Sequence, residues 1–237
     1  MSASLPGLPP SEPAPLVVVK VGGGLLGDAA DLDGVARALV ARRRRGERLL
    51  GVLSPLRGVT DALERAALGS VAPRSGDEMV RDVVDQLWRR HRAVLADEPH
   101  AQAMELGVRR VLDGVERLLV GVRLTGELTD RTHDLLLAHG ERLSAPLLAQ
   151  AVCSRGSDAR AVTADEAGLV ATGPFGAAGC DLEASAAGLD GLTHELYDRM
   201  LVLTGFYGVG RDGHVRLFGR GGTDYSAGVV AAGLRAE

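Results

Sequence analysis

From Leu16 to Val21 the chain is apolar and rich in valine, interrupted only by Lys20, and it runs into Gly22, Gly23 and Gly24. A short β-branched run of this kind predicts a buried strand entering a glycine turn. Helical spacing follows from about Asp31 to Arg45, and Leu49 to Leu53 reads as a second strand. Strand, loop, helix and strand make a βαβ unit, which implies a parallel sheet because parallel strands need a crossover. Two long stripes come next: Val80, Val83, Val84, Leu87, Trp88, His91, Val94 and Leu95, then Met104, Val108, Val111, Leu112, Val115, Leu118 and Leu119. Both have helical period, and they pack most simply on each other or on the sheet. His91 and Trp88 fall within the first stripe, His91 as an ordinary semi-buried histidine and Trp88 as core.

A further helical region runs from Asp134 through Gly140-Glu141-Arg142 to Cys153. Ala159–Thr163 and Met200–Thr204 read as strands, the second followed by turns at Gly205, Gly208, Gly210 and Gly213. Arg216–Phe218 leads into Gly219-Arg220-Gly221-Gly222, and Thr223–Leu234 predicts a closing helix with Thr223 as its N-cap. Neither an internal repeat nor an interdomain linker follows residue 15, so residues 16–237 read as one α/β domain. Residues 1–15, with five prolines but no basic or apolar signal-peptide region, read as a disordered leader.

Composition narrows the function. The formal charge of −4 argues against a nucleic-acid binder, as does an aromatic content of 3%. No run approaches the roughly 20 apolar residues that span a bilayer. Cys153 and Cys180 lack metal-ligand spacing and are too few for a disulfide framework, so they read as buried small hydrophobes of a cytoplasmic protein. Of the 27 basic residues, 26 are arginine and one, Lys20, is lysine. Arginine would serve almost any surface role, which draws attention to Lys20, although chance retention gives the same count. The Arg42–Arg45 run reads as a solvated helix C-terminus, where cations suit the dipole.

Lys20 ends a strand beside three glycines. Backbone N–H groups there can approach an anion closely, and the lysine adds a point charge suited to phosphate. The alternative is a tight turn with a surface lysine. Gly219–Gly222 repeats the theme at a helix start, where free N–H groups and the dipole favour anions and Arg220 offers a fork for a carboxylate. A flexible turn before a capped helix accounts for that segment equally well. Together, two glycine loops at the ends of separate strands suggest the anion-binding crevice of an open α/β sheet.

These residues resemble the aspartate kinases of the amino-acid kinase family. Lys20-Val21-Gly22-Gly23 is similar to the family's opening signature. Leu53-Ser54-Pro55-Leu56-Arg57-Gly58-Val59-Thr60 is similar to its second-strand loop, and His139-Gly140-Glu141-Arg142-Leu143-Ser144-Ala145 to its Gly-Glu helix. Gly205-Phe206 with Gly219-Arg220-Gly221-Gly222-Thr223-Asp224-Tyr225-Ser226-Ala227 resembles its most specific motif. The four blocks stand in family order across nearly all of residues 16–234. Two departures accompany them: Gly24 and Leu25 replace a Thr-Ser pair, and the chain reaches Glu237 without a counterpart of the family's nucleotide-binding half.

The resemblance implies a three-layer αβα fold with an open, mostly parallel sheet, of which this chain would be the N-terminal, amino-acid-binding lobe. It implies transfer of the γ-phosphoryl group of ATP to the side-chain carboxylate of L-aspartate, with Mg²⁺ held mainly through the nucleotide and no protein metal site. Lys20 and Asp224 would be catalytic. Gly22, Gly23, Gly221 and Gly222 would bind phosphate. Arg220 would clamp the α-carboxylate and Glu141 the α-ammonium, while Ser54, Thr60 and Thr223 position the acceptor. Since a carboxylate is ionised at neutral pH, no general base is needed, and catalysis reduces to positioning and charge neutralisation. The resemblance also implies a homo-oligomer or a partner supplying the nucleotide-binding half. A non-catalytic aspartate-binding or regulatory fragment is the alternative. Another amino-acid kinase, acting on glutamate or a nucleotide monophosphate, is disfavoured by the Gly-Glu and Gly-Arg-Gly-Gly-Thr-Asp blocks.

Overall fold

The computed structural model describes residues 14–72, 76–95 and 101–236. Most of the proline-rich leader (residues 1–13) therefore lies outside the described residues. Strand β1 (Leu16–Val21) leads through a 3-10 turn (Gly23–Leu25) into α1 (Ala29–Arg44), and β2 (Arg48–Leu53) follows. Helix α1 begins where the Asp28 side chain accepts from Asp31 N–H at 2.9 Å, an N-cap with acidic and apolar residues behind it. Arg43, near its C-terminus, donates to the backbone carbonyls of Leu196 and Tyr197, and Arg42 pairs with Glu47. The arginine run is thus partly a tether and not only a solvated helix end.

Four helices come next: α2 (Val59–Ser70), α3 (Asp77–Val94), α4 (Ala101–Thr125) and α5 (Asp130–Leu137). The two long stripes correspond to α3 and α4, which pack on each other. His91 is fully buried, more deeply than the sequence suggested. Trp88 is partly buried against the core with Arg109 stacked 3.8 Å from its ring centroid. Helix α6 (His139–Cys153) starts one residue beyond α5, so the region read as a single helix is two, divided at Ala138.

The remaining elements are β3 (Ala159–Val162), β4 (Ala171–Thr172), β5 (Gly179–Cys180), α7 (Leu182–Leu192), α8 (Glu195–Asp198), β6 (Met200–Thr204), β7 (Tyr207–Val209), β8 (Val215–Leu217) and α9 (Gly222–Leu234). The main sheet has the order β1-β2-β6-β3, and every neighbouring pair is parallel. All of β6 and all of β2 after Arg48 are buried, as expected of strands covered on both faces. Helices α1 and α6 pack together and α6 lies against β3 and β6, while α9 lies against β1, β2 and α7. The pairs β4–β5 and β7–β8 are antiparallel ribbons beside this sheet. Cys153 and Cys180 are free thiols of intermediate exposure, not fully buried as expected. Among the described residues no helix is long and apolar enough to cross a membrane.

Candidate active site

Parallel strands present their C-terminal ends, and the loops beyond them, on one side of the sheet. Here β1, β2 and β6 end together, with Val21 opposite Leu53 and Leu53 opposite Thr204. The loops that leave them, with the β8–α9 loop, enclose a cleft of about 640 Å³, within the usual range for small-molecule sites. Nearly every residue singled out in the sequence meets there: Lys20, Gly23, Ser54, Thr60, Glu141, Arg220, Gly221, Gly222, Thr223 and Asp224. Gly22 does not line it. Instead, a Cβ at Gly22 would lie 3.1 Å from Lys20 Nζ, so its missing side chain makes room for the lysine.

Lys20 reaches Asp224, in the first turn of α9, at 3.1 Å. The β1 turn and the β2–α2 loop are close enough that a Cβ at Gly23 would sit 2.7 Å from the Pro55 carbonyl oxygen, an approach only glycine permits. The Ser54 hydroxyl donates to Thr223 Oγ1 at 2.9 Å, tying the β2 loop to α9. Thr223 lies inside the first turn and does not cap the helix. The N-cap is Gly221, with φ of 73°, where a left-handed backbone suits glycine. The N-terminal turn of α9 therefore has no side-chain cap, and Thr223 Oγ1 is engaged by Ser54.

The Gly-Glu helix meets the β2 loop through Gly140 and Ser144 in its first two turns. A Cβ at Gly140 would lie 3.1 Å from the Pro55 ring, so glycine lets the loop dock. The Ser144 hydroxyl accepts from Leu56 N–H at 3.0 Å and donates to the Gly140 carbonyl. Between them, Glu141 lines the cleft while only 1% exposed, and its Oε2 has no hydrogen-bond partner. Burial raises its carboxyl well above the usual carboxylate range, only partly opposed by its backbone hydrogen bond and the nearby Arg142 charge. Arg142 turns away to Tyr207 and Asp165. The alternative of a surface acid paired with a nearby arginine does not hold for Glu141.

Arg220 is exposed at the cleft and has no acceptor among the described residues. Arg57, Asp61 and Phe206, not nominated from sequence as site residues, also line the cleft, as do Gly24, Pro55, Leu56, Gly58 and Gly219. Asp61, two residues into α2, was readable from the Val59, Ala62, Leu63, Ala66 spacing that marks that helix. Phe206 has φ of 74°, a strained conformation for a bulky residue, clamped by its N–H to Ser226 Oγ and its carbonyl to Phe218 N–H, both at 2.9 Å. Among the described residues no group of three or more His, Cys, Asp and Glu gathers as a metal site.

Residues 15–237 match the model of the amino acid kinase family, and the chain belongs to that family. Within it, the chain is similar to aspartokinases. It is 28% identical to the aspartokinase of Mycobacterium tuberculosis over 94% of its own length and 39% of that protein's. It is 30% identical to aspartokinase 3 of Bacillus subtilis over 93% of its length and 46% of the relative's. The structure of Escherichia coli aspartokinase III in complex with aspartate and ADP matches with a TM-score of 0.84 and 25% identity, covering 93% of this chain and 47% of that one. The chain thus spans less than half the length of these relatives.

Proposed function

We propose that this chain carries the aspartate-binding part of an aspartate kinase active site, in which the γ-phosphoryl group of ATP passes to the side-chain carboxylate of L-aspartate. The observation that carries the reading is the presence, in one cleft, of a buried carboxyl whose Oε2 has no hydrogen-bond partner (Glu141) and a guanidinium with no acceptor among the described residues (Arg220). An α-amino acid presents an ammonium and a carboxylate, and these two groups complement it. In this assignment Glu141 takes the ammonium and Arg220 the α-carboxylate in two parallel hydrogen bonds. Ser54, Thr60 and Thr223 direct the reacting carboxylate.

Lys20 and the N–H groups of the two glycine turns, Gly22–Gly23 and Gly221–Gly222, neutralise the transferring phosphoryl group, and Asp224 orients Lys20 through the contact at 3.1 Å. The donor set suits a phosphate chain, and the neighbour bound to aspartate and ADP supports ATP as co-substrate. Mg²⁺ would enter with the nucleotide. A further segment or partner subunit holding adenine and ribose completes the site, and the free thiols support a cytoplasmic location.

Calorimetry with L-aspartate tests the assignment. Arg220→Lys keeps the charge but loses the fork, and Glu141→Gln keeps the shape but loses the charge, so both should bind about tenfold or more weakly. Affinity equal to wild type in both variants removes them from the site.

A further inference from the structure

Lys20 is poorly placed to neutralise a phosphate chain alone. Asp224 sits 3.1 Å from its Nζ and already shares its donors, whereas a triphosphate brings several negative charges to the glycine turn. The same turn carries a second cation on its other flank. Arg57, in the β2–α2 loop, accepts no part in the hydrophobic core and lines the cleft. Its N–H bonds the Leu26 carbonyl at 3.0 Å, and its Nη2 donates to the Gly24 carbonyl. The Lys20 ammonium lies 3.1 Å from the Cβ position of Gly22, and Arg57 Nη1 lies 3.1 Å from that of Gly27, so the two cations bracket the turn.

The charge on Arg57 is less committed than that on Lys20. Its facing acid, Asp31, is 3.6 Å away and also accepts from Gly27 N–H, and the guanidinium remains 59% exposed. Asp61, Glu141 and Asp224 are the acids that line the cleft with it. Nε and Nη1 have no acceptor among the described residues, leaving part of a planar fork open to an oxyanion. Gly24 and Leu25 offer no polar side chain beside the turn, so this arginine is the side-chain donor that the turn itself lacks.

We propose that Arg57 is a phosphate-binding residue of the cleft, gripping the anion from the side opposite Lys20. The inference rests on the reading of the cleft as an aspartate kinase site and adds a specific nucleotide-phosphate contact to it. A staple that merely holds the Gly24 carbonyl would explain the hydrogen bond equally, and the test separates the two.

Arg57→Gln retains a donor for that carbonyl and loses the charge; Arg57→Lys retains the charge and loses the fork. Calorimetry at low ionic strength with inorganic tripolyphosphate should show binding weakened about tenfold or more in Arg57→Gln and less in Arg57→Lys. Affinity for L-aspartate should stay within about twofold of wild type. Tripolyphosphate binding that is lost in Lys20→Ala but unchanged in Arg57→Gln overturns the role of Arg57 and leaves the wider reading standing. Parallel loss of aspartate and tripolyphosphate in Arg57→Gln identifies a staple and overturns it as well. A wild-type protein that binds aspartate but no tripolyphosphate overturns the phosphate contact while sparing the amino-acid site.

Discussion

Glu141 is a carboxyl held almost wholly out of solvent. A carboxyl raised by burial is stable when protonated, and the cost of ionising it falls as a cation approaches. An ammonium bound beside Oε2 should therefore expel its proton. We expect L-aspartate binding to release protons over part of the pH range above 4.5, read as a dependence of calorimetric heat on the ionisation enthalpy of the buffer, and Glu141→Gln to abolish that dependence. Identical heats in all buffers at every pH for wild type would contradict the assignment. The same group fixes the sign of a stability effect. Because its folded value lies above its unfolded one, stability is lost as pH rises beyond about 4.5 towards the folded value, and Glu141→Gln should flatten that slope. His91 works in the opposite range. It is fully buried, its Nε2 is unpartnered, and desolvation lowers it from 6.5 to about 4. Below about 6.5 the unfolded chain takes up a proton that the folded chain refuses, so stability falls between pH 6.5 and 4, by roughly 3 kcal/mol in total. Chemical denaturation of His91→Gln across that range should show a smaller slope, whatever its stability at neutral pH.

The element that organises the cleft is α6, whose first turn both docks the β2 loop and delivers Glu141. Ser144 is the clasp, since it satisfies a buried Leu56 N–H. Ser144→Ala should cost about 1–3 kcal/mol and lower Tm by several degrees, with aspartate affinity falling as the 54–58 loop loosens. A variant with wild-type Tm and affinity would show the clasp to be idle. The elements also show which parts of the fold could be read beforehand. Strands β1, β2 and β6 and helices α1, α3 and α4 were legible because their apolar residues keep one period over a long stretch. Helix α2 carries a stripe of the same kind (Val59, Ala62, Leu63, Ala66), but it is short and follows directly on the turn residues Pro55 and Gly58. Residues 163–181 gave no signal, because β4 and β5 are two residues each and their order comes from distant partners. Asp134, for example, accepts from Gly176 and Leu217 N–H at 2.8 and 2.9 Å. Lys20, Arg220 and the two glycine loops could be named from glycine patterning and charge, whereas Ser54, Thr60, Glu141, Thr223 and Asp224 came only with the family resemblance. That Gly22 serves Lys20 rather than the cleft wall, that Gly221 and not Thr223 caps α9, and that Glu141 is desolvated are all consequences of packing between segments far apart in sequence.

For the whole molecule, the chain covers under half the length of the aspartokinases it was compared with above, and among the described residues β1 forms one edge of the sheet with β2 as its only strand neighbour. The cleft opens from the ends of these strands, so on the proposed reading a phosphate at Lys20 and the glycine turns would face solvent in this chain, where charge stabilisation is weak. We expect the purified 237-residue protein to bind aspartate yet form negligible aspartyl phosphate in hydroxamate trapping with ATP, and to gain activity when a nucleotide-binding partner is supplied. In the completed enzyme Lys20→Ala should lower turnover by about 10²–10³. Abundant, Lys20-dependent product from the chain alone would refute the need for a partner. A last consequence follows from where the sole lysine lies. Its side chain is 36% exposed at the cleft, and every other basic side chain is arginine or histidine. An amine-directed reagent would thus find a single internal address besides the chain terminus. A fluorophore or isotope attached there would act as a built-in reporter of the cleft, shielded when a ligand enters and readable without any engineered cysteine or tag.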